Sequence, residues 1–283
     1  MSDSSRIAAL QLLEQRRHPD LPAILERLVG DAQPSVRSAA REQLAKRDPA
    51  RGARLFTETL TQSTVMLERQ EALAGLARLR TAAADDQLLR WAEKLAADEA
   101  PAELQLDIVE AVAARGLPTA AMLTKRFQDR AAQTGPLGKY RAALVGGDPA
   151  RGRELFRGHR IAQCQRCHKA QGEGGDAGPD LSQVANRHDR ASLLESLVDP
   201  SAKIAPNYGA ISVVMNDGRV VAGTLRKETA TTLTLLTPDG RETEVPLADI
   251  DERTPPRSPM PAVDRALSLR ELRDLVAFLA ELR

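Results

Sequence analysis

The two cysteines of the chain are separated by two residues, and a histidine directly follows the second, in Cys164-Gln165-Arg166-Cys167-His168. This C-x-x-C-H spacing is the one by which proteins attach a c-type haem. Two thiols on one helical turn can each form a thioether with a haem vinyl group, and the adjacent imidazole can then bind the iron as its proximal ligand. The motif therefore predicts one covalent haem c, held by Cys164 and Cys167, with His168 on the iron.

Two other uses of a close cysteine pair require a different sequence context. A thioredoxin-like dithiol would follow a strand in a βαβ unit. A zinc site that used Cys164 and Cys167 would need a second pair of ligands. Neither context accompanies the motif, and no further cysteine competes for these thiols. The haem interpretation is therefore favoured.

The length, the charge and the apolar runs of the sequence limit the classes of protein to consider. A length of 283 residues predicts two or three domains, each with its own core. The 40 lysines and arginines nearly balance the 39 acidic residues, so the charge gives no indication of nucleic acid or an anionic membrane as a partner. No apolar run is long enough to span a membrane. Residues 1–17 have neither the apolar region nor the cleavage site of a signal peptide.

Residues 1–134 predict one helix after another. Their apolar residues recur at helical spacing between short breaks that contain proline, glycine or aspartate. Residues 31–40 resemble the HEAT repeat signature, in which an aspartate and a proline form the turn and a Val-Arg pair begins a helix. This implies a HEAT-like α-solenoid, and a plain helical bundle is the alternative. No catalytic constellation occurs here, and we expect Trp91, Met66 and Met122 in the core.

Two clusters, Gly135-Pro136-Leu137-Gly138 and Gly146-Gly147-Asp148-Pro149, bracket a short connecting helix, and we interpret residues 135–147 as a linker between domains. Asp148 then caps a helix that has Pro149 in its first turn. Residues 48–56 nearly repeat residues 148–156 but lead to no cysteine. We interpret this likeness as shared chemistry of helix starts and not as a second haem site.

Between residues 207 and 254 the apolar pattern changes from helical to alternating. Strand-like runs flank Asp217-Gly218 and Asp239-Gly240, and Asp-Gly turns of this kind are strong hairpin signals. Four or five strands in so short a stretch predict a small closed β-barrel that resembles SH3 or Sm-like barrels. Sm-like proteins bind RNA, but nothing basic or aromatic in the stretch supports that activity. A structural or docking role is therefore expected.

The segment 148–283 resembles the haem-binding cytochrome c domain of the Planctomycete–Verrucomicrobia type. The likeness rests on the order of its parts, which are an opening helix, the C-x-x-C-H motif, Gly178-Pro179-Asp180-Leu181, the β insertion, Met260-Pro261 and a closing helix. It implies that the carbonyl of Pro179 accepts a hydrogen bond from the second ring nitrogen of His168. It also implies that Met260 is the sixth iron ligand, although Pro259 stands where the family more often has an aliphatic residue.

The predicted fold is thus mainly α and multidomain. HEAT-like helical repeats occupy residues 1–134, a linker follows at 135–147, and an α-helical cytochrome c domain spans 148–283 with the small β-barrel inserted at 207–254. Members of that family commonly carry a β-propeller dehydrogenase-like region upstream of such repeats. Haem c is attached outside the bacterial inner membrane, so the resemblance implies a periplasmic or otherwise exported protein. Since no signal peptide is visible, we expect a segment of a longer chain or a processed form.

We interpret the protein as an electron carrier and not an enzyme, with His168 and Met260 keeping the iron six-coordinate. Its electrons are expected from a redox partner protein or an upstream dehydrogenase domain. Two alternatives stay open, which are a peroxidase-like haem enzyme with an open sixth site and a scaffold with a structural haem. His159 and His188 are alternative ligands, whereas Met215 is expected in a strand core.

Two features near the motif have further expected roles. Gly172, Gly174 and Gly175 are expected to let their loop pass close to the haem edge. Basic side chains either form a rim that attracts an acidic partner or belong to a solvated helix face. These basic residues are Arg151, Arg153, Arg157, Arg160, Arg166 and Lys169.

Overall fold

The structure, a computed structural model, describes residues 2–283 and divides into two compact units. The first unit is Met1–Ala142 and the second is Ala143–Arg283, so their boundary lies inside segment 135–147. The described chain is mainly helical, and its two antiparallel sheets belong to the second unit. In residues 2–283, no helix has both the length and the apolar character needed to cross a membrane.

The first unit contains eight α-helices within the described residues. They are α1 (Asp3–Gln15), α2 (Leu21–Leu28), α3 (Pro34–Arg47), α4 (Pro49–Gln62), α5 (Met66–Arg78), α6 (Ala82–Ala96), α7 (Gln105–Arg115) and α8 (Pro118–Ala132). Proline in the first turn begins four of them, where its missing N–H costs no hydrogen bond. Gly116 ends α7 in the left-handed conformation, with φ of 72°.

Each of these helices packs on its neighbours along the chain, and several also pack on the next helix but one. Trp91 is buried in α6, as expected, whereas Met66 is half-buried at the start of α5. The expectation for Met122 was wrong, because its side chain is 69% exposed. Helix α8 buries the face that carries Ala120 and Phe127, and Met122 lies on the opposite face.

The second unit begins and ends with helices and has its strands between them. Its elements are α9 (Pro149–Gly158), α10 (Cys164–Cys167), β1 (Lys169–Ala170), β2 (Glu173–Gly174), α11 (Arg190–Val198), β3 (Ala210–Met215), β4 (Val220–Glu228), β5 (Thr232–Leu236), β6 (Glu242–Pro246), β7 (Ile250–Arg253) and α12 (Leu269–Leu279). Short 3₁₀ turns link several of these elements.

The opening helix α9 packs closely against the closing helix α12. The rings of Phe156 and Phe278 lie 5.6 Å apart between them. Gly152 allows the close approach, since a Cβ at that position would lie 2.0 Å from the backbone oxygen of Asp274. The Asp274 carboxylate accepts a hydrogen bond of 2.9 Å from the backbone N–H of Asp148, the residue that caps α9. Burial raises the pKa of Asp274.

Five strands of the second unit form one antiparallel sheet in the order β6-β5-β4-β3-β7. Alternate residues of β3 and β5 are buried, including Val213 and Leu233, and the buried Met215 belongs to the same core, as expected. Gly218 and Gly240 have φ of 83° and 80° in the two Asp-Gly turns. The sheet therefore has the two hairpins that the sequence predicts.

Candidate haem-attachment site

The two cysteines lie on a single helical turn, α10. Gln163 precedes this turn with φ of 45°, a left-handed conformation that redirects the chain into the motif. Both thiols are free, with Cys164 half-buried and Cys167 exposed. Burial raises the pKa of the Cys164 thiol, which keeps it protonated at neutral pH. The turn thus presents two reduced thiols side by side.

His168 leaves α10 in an extended conformation, and its ring is held from one side. Ring nitrogen Nδ1 lies 2.9 Å from the carbonyl oxygen of Pro179. Because a carbonyl can only accept, Nδ1 carries the proton and donates it in this bond. In the neutral tautomer with this proton on Nδ1, Nε2 is the nitrogen with the lone pair that can bind a metal. The structure has the His168–Pro179 contact that the resemblance implies.

The loop after the motif folds back onto it through backbone hydrogen bonds. The N–H of Gly178 donates to the carbonyl of Cys167 at 2.7 Å, and the N–H of Gly175 donates to that of Gln165 at 3.0 Å. The short hairpin of β1 and β2 begins this return, and sequence reasoning did not predict it. The glycine cluster at residues 172–175 could have indicated this hairpin. The sequence analysis instead interpreted these glycines as allowing the loop to pass the haem edge.

Two glycines allow the return loop to reach the histidine. A Cβ at Gly174 would lie 2.1 Å from the backbone oxygen of His168, and the φ of 124° at Gly174 also favours glycine. A Cβ at Gly178 would lie 2.5 Å from Cε1 of the His168 ring. No side chain fits between the loop and the imidazole, so these glycines set the position of Pro179.

Replacing Gly178 by alanine should therefore displace the His168 ring. We expect Gly178→Ala to destabilise the haem-loaded protein by roughly 1–3 kcal/mol, since the added methyl group overpacks a fixed contact. The measurement is the denaturant midpoint read from haem absorbance. Gly158→Ala is the matched control, because a Cβ there meets nothing within 4 Å. Equal midpoints for the two variants would contradict a role for this packing.

Met260 lies in the segment between β7 and α12 and is half-buried. Its backbone N–H donates to the hydroxyl of Ser258 at 3.2 Å. The same segment is tied to the region at the end of α11, since the N–H of Ser258 donates to the Ser201 hydroxyl and that of Val263 to the Leu197 carbonyl. Hydrogen bonds on both sides of Met260 therefore hold its segment in place.

The two alternative histidines differ in their surroundings. Nδ1 of His159 accepts hydrogen bonds from the backbone N–H groups of Ile161 and Ala162, at 3.4 and 3.0 Å. Its Nε2 lies 3.9 Å from a carboxylate oxygen of Glu271. His159 thus stabilises the loop that leads to the motif by hydrogen bonds, whereas His188 is exposed to solvent.

The donor set suits a haem better than the other uses of a cysteine pair. In the described part of the chain, no group of three or more His, Cys, Asp or Glu side chains could hold a metal ion, so a zinc site has no second ligand pair there. Helix α9 and a loop precede α10, which is not the βαβ setting of a thioredoxin-like dithiol. Two free thiols and one oriented imidazole are the groups that a c-type haem requires.

Comparison with known proteins gives one family match. The family model of Cytochrome c matches residues 149–218, from α9 through the motif and Pro179 to the turn after β3. No curated protein was found to match the chain. The matched family implies covalent haem c and haem-based electron transfer, and its members are typically exported. The segment with the C-x-x-C-H motif is therefore a c-type cytochrome domain.

Proposed function

We propose that this protein is a periplasmic electron carrier with a single haem c, attached to Cys164 and Cys167. When bound, the haem supplies an iron that takes up and releases one electron. In this proposal His168 and Met260 would be the two protein ligands of the iron, and the protein is not an enzyme. The observation that carries it is the 2.9 Å contact between His168 and Pro179, beside two free thiols in a segment that matches cytochrome c.

Each of these residues has a separate task. The Pro179 carbonyl fixes the tautomer of His168 and increases the basicity of its free nitrogen. Met260 offers a thioether, a soft ligand that favours ferrous iron and so raises the potential relative to a second histidine. The hydrogen bonds that anchor the Met260 segment already order its backbone, so less backbone entropy would be lost when the methionine binds the iron.

A redox titration of the haem-loaded protein, followed by its optical spectrum, tests whether His168 and Met260 bind the iron. The protein is produced with a cytochrome c assembly system, and its optical spectrum and redox potential are measured. We expect Met260→Ala to convert low-spin to high-spin iron or to lower the potential by on the order of 0.1 V, because the thioether is lost. Met122→Ala is the matched control, since that methionine is exposed in α8.

The other outcomes separate the alternatives. An unchanged spectrum and potential in Met260→Ala would reject the ligand assignment. High-spin iron in the unmutated protein would favour a peroxidase-like enzyme with an open sixth site. A potential far outside the physiological range would favour a structural haem in a scaffold.

The surrounding parts have supporting roles in the proposal. The first unit is a HEAT-like solenoid that holds the cytochrome domain against its electron donor, which is supported by the sequential packing of its helices. The sheet is an SH3 or Sm-like barrel with a docking role, which is supported by the pairing of its first strand, β3, with its last, β7. This arrangement is the one expected of the Planctomycete–Verrucomicrobia type. The donor is a partner protein or an upstream dehydrogenase domain.

A further inference from the structure

One outer edge of the five-stranded sheet is strand β6, which pairs with β5 alone. The register of this pair runs without a shift from Glu242 opposite Leu236 to Pro246 opposite Thr232. In residues 2–283, no backbone hydrogen bond and no isolated bridge joins another segment to the outer side of β6. The backbone groups on that side therefore face solvent, as they do at an open sheet edge.

The hydrogen bonds at the two ends of β6 show which of its residues face outward. The carbonyl of Arg241, just before β6, accepts a hydrogen bond of 2.9 Å from the N–H of the residue that follows β5. The N–H of Leu247, just after β6, donates at 2.8 Å to the carbonyl of the residue that precedes β5. In an antiparallel pair every second residue bonds to the partner strand. The backbone N–H and C=O groups of Glu242 and Glu244 consequently point away from the sheet.

Pro246 supports this alternation independently. Proline has no backbone N–H, so an edge strand accepts it where that N–H would have faced solvent. Pro246 ends β6 two residues after Glu244 and so belongs to the outward-facing set. The outer side of β6 thus offers two N–H donors and two carbonyl acceptors, from Glu242 and Glu244.

The outward-facing residues of β6 also carry two carboxylates without a cationic partner. Glu242 and Glu244 are exposed, whereas Val245 is buried in the core of the sheet. On β5 the two glutamates lie opposite Leu236 and Thr234, which carry no charge. In residues 2–283, no cationic side chain lies within ion-pair distance of either carboxylate. The negative charge of this edge is therefore left uncompensated.

We propose that the outer side of β6 binds an extended segment of a partner protein in which basic and apolar residues alternate. This inference rests on the docking role of the sheet in the proposed function and deepens it. Such a segment adds one more strand to the sheet through backbone hydrogen bonds to Glu242 and Glu244. Its basic side chains lie beside the two carboxylates, and its apolar side chains extend the face that carries Val245.

A second copy of this chain fits the edge less well than a basic segment does. Pairing of β6 with the β6 of another copy would bring glutamates beside glutamates. The other outer strand, β7, carries Asp251 and Glu252, so pairing of β6 with β7 would also bring like charges together. Like charges on neighbouring strands destabilise the pair. The charges of both edges thus oppose self-association and favour a basic partner.

Titration calorimetry of the haem-loaded protein with a peptide of alternating lysine and valine, about eight residues long, tests the proposal. Glu244→Gln removes one charge and keeps the backbone N–H, so we expect it to weaken binding about threefold. Glu244→Pro also removes the outward N–H, and we expect a loss of about tenfold or more. Glu252→Gln, an exposed position of β7, is the matched control and should bind as the unmutated protein does.

The opposite change, Pro246→Ala, is expected to strengthen binding. Alanine supplies the outward N–H that proline lacks, which adds one hydrogen bond to the bound segment. We therefore expect binding about threefold tighter than that of the unmutated protein. Because misfolding of the sheet would weaken binding, a gain separates strand pairing from a loss of structure in Glu244→Pro.

Other results overturn the assignment. Equal losses in Glu244→Gln and Glu244→Pro, or equally tight binding of an alternating lysine–glycine peptide, would mean attraction of charge without strand pairing. A loss in Glu252→Gln as large as that in Glu244→Gln would mean that β6 is not the binding edge. Dimers that form at rising protein concentration, without peptide binding, would mean that the edge pairs two copies.

Covalent haem is measured on the same preparations, so the two proposals can fail separately. If the unmutated protein retains haem but does not bind the peptide, only the docking assignment fails. If it binds the peptide but retains no haem, the electron-carrier function fails.

Discussion

The double variant Cys164→Ser/Cys167→Ser should retain no covalent haem after denaturation, whereas the unmutated protein should keep all of it. Serine matches cysteine in size but forms no thioether with a vinyl group, so the fold of α10 persists without the attachment chemistry. Both thiols are free and on one turn, with no other cysteine in the chain to replace them. The measurement is the mass and the haem absorbance of the denatured protein after production with a cytochrome c assembly system.

A control inside the same turn makes the result specific. Gln165→Ser introduces the same residue type between the two cysteines, and we expect the haem content to match that of the unmutated protein. Porphyrin that stays attached to the double variant would show that the attachment uses other groups. If the denatured unmutated protein shows no gain in mass of the size of a haem, the haem assignment itself is contradicted.

Local signals in the sequence predicted the features that depend on a few adjacent residues. The aspartates before Pro49 and Pro149 both cap helices, as the near repeat of residues 48–56 and 148–156 indicates. In both repeats the glycine lies against another helix, since a Cβ at Gly52 would lie 2.4 Å from the Cβ of Ala45 and one at Gly152 would lie 2.0 Å from the oxygen of Asp274. The local chemistry is the same, but the partner helix is set by the rest of the fold.

The features that sequence reasoning missed depend on distant residues. Strand β7 is the last of the five strands along the chain and pairs with β3, the first, and its Ile-Asp-Glu-Arg sequence has little alternation to mark it. Met122 follows a helical apolar pattern, yet its neighbours do not cover it. The position of the Met260 segment rests on Ser201 and on α11, which precede the inserted sheet. Such contacts have no local sequence signal because they form only when the chain has folded.

The first unit contains a buried carboxylate whose effect on stability does not involve the haem. The side chain of Glu68 is only 2% exposed and receives hydrogen bonds from Arg37, Arg41 and Ser63. Burial alone would raise its pKa, but the bonds from the two guanidinium groups and the hydroxyl prevail and lower the pKa from 4.5 to about 2. The ionised form of Glu68 is therefore favoured by folding.

Acid should consequently destabilise the first unit through Glu68. Because the folded pKa lies below the unfolded value, this contribution is fully present above pH 4.5 and is lost as the pH falls towards about 2. The lowering from 4.5 to about 2 corresponds to about 3 kcal/mol. Trp91, the one tryptophan of the chain, is buried in α6 and reports unfolding of this unit by fluorescence.

We expect Glu68→Ala to lower the free energy of unfolding at neutral pH by about 3–5 kcal/mol, because Arg37 and Arg41 lose their shared partner. The loss of stability between about pH 4.5 and about pH 2 should shrink in the variant, since the group that titrates there is gone. Glu71→Ala, at an exposed position of the same helix α5, is the matched control and should keep the acid dependence of the unmutated protein. Other carboxylates such as Asp31 also have a lowered pKa, so the difference between Glu68→Ala and Glu71→Ala isolates the effect of Glu68. If both variants lose stability equally on acidification, Glu68 is not the group that links the stability of this unit to pH.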